Sequence, residues 1–241
     1  SITIKGGANL QVAGSLLAAA GHAGGDGGSI ETSAPAVDFT GASVAAHALN
    51  GRNGRWLIDP TDVTINAAQA ATIVSSLNAG TDVAVQTVAA GAQPGNITVA
   101  ASIVKTGGGS ATLQLQAHNN IVFNTGVQVA STSNALNLTL NSDFDASGAG
   151  AILMNLNSAV RANGGDIVLG GGADPILSAA LGNGTLTSGV RLVGAMLDAG
   201  GGDIFVRGSG LDSGNPSRHG VSIETSGVVP SVVQTSGTGR I

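Results

Sequence analysis

The sequence contains no cysteine and no tyrosine, and aromatic residues make up only 2% of it. Without cysteine there is no disulfide scaffold and no thiolate metal site, although export from the cell stays open. With so few aromatics, nothing large fills the centre of a wide globular core, so the core must be thin, as in stacked small rungs. Charge is scarce as well, at 10% of residues with a formal net of −5. The seven arginines and two lysines are scattered singly, which leaves no basic stripe for nucleic acid or anionic lipid. No apolar run approaches the roughly 18 residues of a membrane span. No basic, apolar, small-residue leader opens the chain either.

What is present is glycine, 39 of 241 residues, and a 42% hydrophobic fraction dominated by Ala, Val, Ile and Leu. That is too apolar, with too little net charge, for a disordered chain. The chain opens with the strand-like Ser1-Ile2-Thr3-Ile4-Lys5 and stops at Arg240-Ile241, and both ends read as cut from something longer.

Internal repetition is the strongest signal. Leu10-Gln11-Val12-Ala13-Gly14 returns as Val37-Asp38-Phe39-Thr40-Gly41 after 27 residues, and Gly24-Gly25-Asp26-Gly27 returns as Gly51-Arg52-Asn53-Gly54 at the same interval. Ile2 returns at Ile30 after 28 residues, and Ile30 at Leu57 after 27. Later runs keep the style with looser spacing: 82–86, 96–99, 112–116, 120–123, 136–140, 166–169, 190–193, 203–206 and 221–224. Each alternates with period two between Gly, Asn, Asp or Ser, the mark of a strand with one buried face. Gly164-Gly165-Asp166-Ile167 matches Gly201-Gly202-Asp203-Ile204.

The repeating unit is a whole three-strand coil with its glycine corner, so like stacks on like. That predicts an all-β, right-handed parallel β-helix over residues 1–241, as one segment of a longer chain. With about 4.8 Å per rung and rungs of about 20 to 27 residues, the rod would be on the order of 45 to 60 Å long. From Asn66 to Gly80 the pattern changes, with Ala70, Ile73, Val74 and Leu77 at helical spacing. This predicts a short amphipathic helix near residues 66–79, lying on the rod, with an irregular loop as the alternative.

The blocks Gly28-Ser29-Ile30-Glu31-Thr32-Ser33, Val37 to Ala42, and Gly54-Arg55-Trp56-Leu57-Ile58-Asp59-Pro60 through Ile65 resemble filamentous-haemagglutinin-type exoproteins, the large passengers of bacterial two-partner secretion. Leu77 to Val83, Gly95 to Val99 and Ala117 to Ile121 fit the same pattern. The resemblance implies a β-helical shaft on the bacterial surface that crosses the outer membrane through a partner transporter. It would support adhesion, aggregation or biofilm formation by meeting a cell-surface receptor or polysaccharide. The Asn-Pro-Asn-type motifs of that family's secretion domain are missing, so this segment would be shaft.

The same fold class also serves polysaccharide lyases and hydrolases, which keeps a carbohydrate-active enzyme as an alternative, and a self-assembling fibre through end-to-end contacts as another. Asp143 and Asp145 stand two apart, the sort of carboxylate pair that glycoside chemistry needs, but the surrounding Asn141 to Gly148 reads as a turn. Asp59 and Asp62 flank Pro60 and suit a corner. Arg218-His219-Gly220 has no acidic cluster beside it in sequence, and His22, His47 and His118 lack zinc-ligand spacing. Gly25-Asp26-Gly27, Gly165-Asp166 and Gly202-Asp203 lack the intervals of a calcium nonapeptide, and positive-φ glycine corners explain them more simply. Trp56 reads as a core plug more readily than as a sugar platform. Gln114, Gln116, Thr98 and Thr139 read as solvated outward positions. No catalytic residue, metal ligand or cofactor site is assigned, and no enzymatic activity is expected.

Overall fold

In a strand, alternate side chains leave on opposite faces, so the apolar members of each alternating run can share one interior. The computed structural model, which describes residues 1–211 and 218–241, arranges them in that way. A first face stacks eight strands in chain order: Ile2–Lys5, Ser29–Ser33, Arg55–Asp59, Asp82–Gln86, Ala111–Ala117, Leu136–Ser142, Ile167–Gly171 and Ile204–Val206. A second face holds Val63–Ile65, Ile97–Val99, Ile121–Phe123, Ile152–Met154, Val190–Val193 and Val221–Glu224. A third holds Ile103–Lys105, Gln128–Ser131, Ala159–Arg161, Met196–Asp198 and Val232–Gln234. The first two rungs add the pairs Asn9–Gln11 with Ala36–Asp38 and Ser15–Leu17 with Ser43–Ala45. Every one of these pairings is parallel. The chain is therefore a parallel β-solenoid of about eight rungs with one short helix.

Register puts like on like. Ile30, Trp56, Val83, Leu113, Leu138, Ile167 and Ile204 form one inward column of the first face. Val63, Ile97, Ile121, Ile152 and Val190 form one of the second. Each such side chain contributes about 1.5–3 kcal/mol through burial. In the last rung the inward Val221 and Ile223 remain 38% and 56% exposed, because among the described residues no strand stacks beyond them.

Three expectations need correction. Ile30 is paired with Trp56, not Leu57, and Ser29 with Arg55, so the second step is 26 residues and the glycine turn shifts with it. The cause is a shorter corner between the third and first faces, which spans 46–54 against 18–28 in the rung before. Along the first face the steps are 28, 26, 27, 30, 25, 29 and 37 residues. Longer rungs make a shorter rod, about 34 Å over seven strand spacings.

The helix α1 spans Ala67–Asn78, within the expected segment but differently placed. It does not lie on the rod. It occupies the third-face position of the third rung, between Ser43–Ala45 and Ile103–Lys105, and packs against both. Asn66 caps it by accepting from the N–H groups of Ala68 and Gln69, while the Gln69 side chain accepts from the N–H of Asn66. Ala70, Ile73 and Leu77 face the interior in place of a strand's inward side chains. Among the described residues no helix is long and apolar enough to cross a membrane.

Candidate functional site

Where the chain turns a corner, a backbone N–H leaves the strand ladder and needs another acceptor. Short Asn and Asp side chains supply it in two columns. At the entry to the first face, Oδ1 of Asp82 and Asn137, the first and second residues of their strands, and of Asp166 and Asp203, one residue before theirs, accepts from the N–H of Thr112 (2.8 Å), Asp166 (3.0 Å), Asp203 (2.8 Å) and Arg240 (2.8 Å). Before the second, Oδ1 of Asp62, Asn96 and Asn120 accepts from Asn96 (2.7 Å), Asn120 (3.0 Å) and Ala151 (2.9 Å). Asp62 thus has the corner role expected of it, and Asp166 and Asp203 are ladder members. The glycines beside them divide the work. Gly164 and Gly201 have φ of +96° and +127°, whereas a Cβ on Gly202 would collide with the carbonyl oxygen of Gly165 one rung away.

The carboxylates of Asp143 and Asp145 diverge. Asp143, buried in its turn, accepts from Ser147 Oγ (2.8 Å) and the N–H of Gly148 (2.9 Å) through Oδ1. Asp145 meets His118 instead, with Oδ2 at 2.7 Å from Nδ1. Sequence reasoning left His118 isolated. The two residues are 27 apart, about one rung, and only the stacking brings them together. His118 lines a shallow groove of about 380 Å³ with Gln93, Asn119 and Ser147, whereas Asp145 stands outside its lining. Asp59 accepts from Ser33 Oγ (3.2 Å), while its other oxygen is buried without a partner, and burial pushes its carboxyl pKa up. His22 is exposed on a turn and His47 is half-buried.

A second acid–base contact also escaped the sequence. Arg191 clamps Glu224 with two hydrogen bonds of 2.8 Å, and Ser222 Oγ donates to the same carboxylate (2.8 Å). Arg191 first, and then Ser222, pulls the Glu224 pKa down to about 2. His219, read as lacking an acidic neighbour, shares with this pair a recess of about 440 Å³ beside Thr185, Leu186 and Thr187.

Lys105 is the least expected residue. It points inward from the third face at 0% exposure and donates through Nζ to the carbonyl oxygens of Gly107 (2.7 Å) and Ser133 (2.5 Å), with Gly108 at 3.5 Å. Burial pushes its pKa down. Carbonyls at the bend substitute for water around the ammonium, the condition under which a buried charge is tolerated. The alternation Ile103-Val104-Lys105, with burial at both ends, was the available signal.

Trp56 is fully buried, donates from Nε1 to Thr32 Oγ1 (3.1 Å) and meets Phe39 edge-on with ring centroids 5.5 Å apart. It is a core plug. Gln114 and Thr139 share an outward column with Ala84 and Val168, so no uniform threonine array forms there, and Thr98 stacks between Thr64 and Val122. Gln116 accepts from Arg55 Nη2 at 3.2 Å. Among the described residues no group of three or more His, Asp or Glu side chains converges in a way that could hold a metal ion. No protein-family model matches the chain, and no curated protein matches it significantly.

Proposed function

We propose that this chain is a rigid shaft segment of a large secreted bacterial surface adhesin, a structural and interaction module rather than an enzyme. The observation that carries the reading is the first face, whose eight parallel strands run without interruption while side-chain columns lock two of the three corners. Three faces set at angles resist bending in every direction, and reach is what such a scaffold supplies. Each strand pairs only with its neighbours one rung away, so a solenoid can propagate from whichever rung forms first. That property suits a chain threaded unfolded through an outer-membrane transporter and folded outside, as does the lack of cysteine. The cell-surface setting and the roles in aggregation and biofilm formation follow from the resemblance to two-partner-secretion passengers.

The test is to display the chain on a bacterial surface and excise one rung in register, residues 113–137, so that Leu138 takes the place of Leu113 on Val83. Reach, measured as the distance between cells at contact, should shorten by about one strand spacing while the fold persists. Aggregation unchanged by removing the whole segment would end this reading.

A second reading, a carbohydrate-active enzyme, is favoured by the His118–Asp145 contact at 2.7 Å, of which His118 lines a shallow groove. It expects release of oligosaccharide from polysaccharide that disappears in Asp145→Asn. No release from any substrate in a polysaccharide panel, or release that survives the substitution, removes it.

A further inference from the structure

A recess of about 670 Å³ follows a single column of the solenoid. Ser29, Arg55, Asp82, Thr112 and Asn137 line it, and these are register partners on five consecutive rungs of the first face. The recess is therefore a groove parallel to the rod axis, about 19 Å long over four strand spacings. One wall comes from the unequal corners. The long corners of the first two coils stand out and are tied to each other by Arg52, which donates to Asp26 from its backbone N–H (2.9 Å), Nε (3.1 Å) and Nη2 (2.9 Å). The next corner, after the helix, is only 79–81. Asn53 closes the step by donating to the carbonyl oxygen of Ser110 (3.0 Å).

The floor has a definite chemistry. Backbone groups beneath it are consumed by the parallel ladders and, at the Thr112 N–H, by the Asp82 side chain, so an added peptide strand would find no open edge. Recognition falls to side chains. Arg55 and Asp82, adjacent in register, present a donor and an acceptor one strand spacing apart. Burial pushes the Arg55 pKa down and the Asp82 pKa up, so both side chains are partly desolvated beside each other. Two acids, Asp26 and Asp82, balance two arginines, Arg52 and Arg55, which leaves no net charge to draw a polyanion. The successive residues of an extended glycan advance by about the height of one rung, and each carries hydroxyls that both donate and accept.

We propose that this groove binds a neutral, extended oligosaccharide lying along the rod, with its hydroxyls bridging Arg55 and Asp82 and its length read by Thr112 and Asn137. This gives a chemistry to the adhesive partner, and it rests on the shaft reading only for its biological setting. The purified chain is titrated calorimetrically with hexamers and dimers of β-1,4-glucose, α-1,4-glucose, β-1,4-mannose and β-1,4-xylose, and with hexagalacturonate as the anionic control. At least one neutral hexamer should bind, at least ten-fold more tightly than its dimer. Thr112→Trp, which fills the floor from an outward position, should weaken it at least ten-fold, and Asp82→Asn, which retains an acceptor for Thr112, several-fold. Unchanged melting temperatures show that the variants fold. Ser110→Trp, at the wall, takes the place of Thr112→Trp if that chain does not fold. Binding of hexagalacturonate alone, no binding of any neutral hexamer, or affinity indifferent to the tryptophan overturns the proposal. Hexamer binding that persists while removal of the segment leaves aggregation intact overturns the shaft reading alone.

Discussion

In the third rung the first face continues as the strand Arg55–Asp59, while the third face gives way to the helix Ala67–Asn78. On the strand side the backbone ladder is continuous, from Ser29 paired with Arg55 to Arg55 paired with Asp82. On the helix side that ladder is gone, because a helix spends its own N–H and C=O groups internally. The exposed backbone of the adjoining rungs is met by side chains instead. Thr72 Oγ1 accepts from the N–H of Gly41 (3.0 Å) and Thr81 Oγ1 from that of Ala46 (2.8 Å). Across the helix, Asn78 Oδ1 accepts from the N–H groups of Thr106 and Gly107, both at 3.0 Å. A solenoid thus accepts a helix in one rung where its edges carry acceptors at the right positions, and the two faces flanking the insertion keep their register.

The contrast can be broken at several points. The largest effect is expected at Trp56, where the strand side of the same rung fills the core: Trp56→Ala should cost about 3–5 kcal/mol, read from denaturant midpoints at constant m. Lys105→Ala, in the strand that adjoins the helix, removes the cation that faces three carbonyls and leaves a cavity, for a loss of about 2–4 kcal/mol in the same assay. Thr81→Val keeps shape but strips the acceptor from the buried N–H of Ala46, and about 1–3 kcal/mol should be lost. A change below about 0.3 kcal/mol would mean that hydroxyl acceptors do not replace the ladder. Asn66→Ala removes the helix cap at a cost of about 1 kcal/mol.

The smallest effect lies far from the helix, in the Arg191–Glu224 contact. The folded-state pKa of Glu224 is depressed to about 2 from 4.5, so its contribution is present above the unfolded value and is lost as pH falls through the folded one. Glu224→Gln should therefore lower stability by a small constant amount above pH 4.5 and by nothing below about 2, which flattens the acid limb of the stability curve between them. Both side chains are partly solvent-exposed, which keeps the size of this effect small.

Much of the solenoid is legible without coordinates, and particular residues show why. The strands 82–86, 190–193 and 221–224 have the bounds that alternation predicts. Asn96, Asn120, Asp166 and Asp203 look like first residues of strands but stand one position before them, at corners, because their neighbours' N–H groups need side-chain acceptors there. The third-face strands from Gln128 to Gln234 went unseen, since three or four residues with one or two inward positions carry too little periodicity to stand out. Of the candidate site, corner chemistry at Asp62 was readable from its neighbours in sequence. The groove along Arg55 and Asp82 was not, because its members lie on different rungs.

The sequence by itself determined the kind of object this is. Thin aliphatic alternation, glycine corners and a coil-length repeat demand that strands stack in parallel, and helical spacing around Ile73 demands a helix, because these are preferences acting within a few residues. Only the tertiary structure decided where the helix sits, that Trp56 and not Leu57 enters the core, and that His118 meets Asp145. Each depends on the number of residues spent at a corner, and a change of one residue there turns an inward side chain outward throughout the strand that follows.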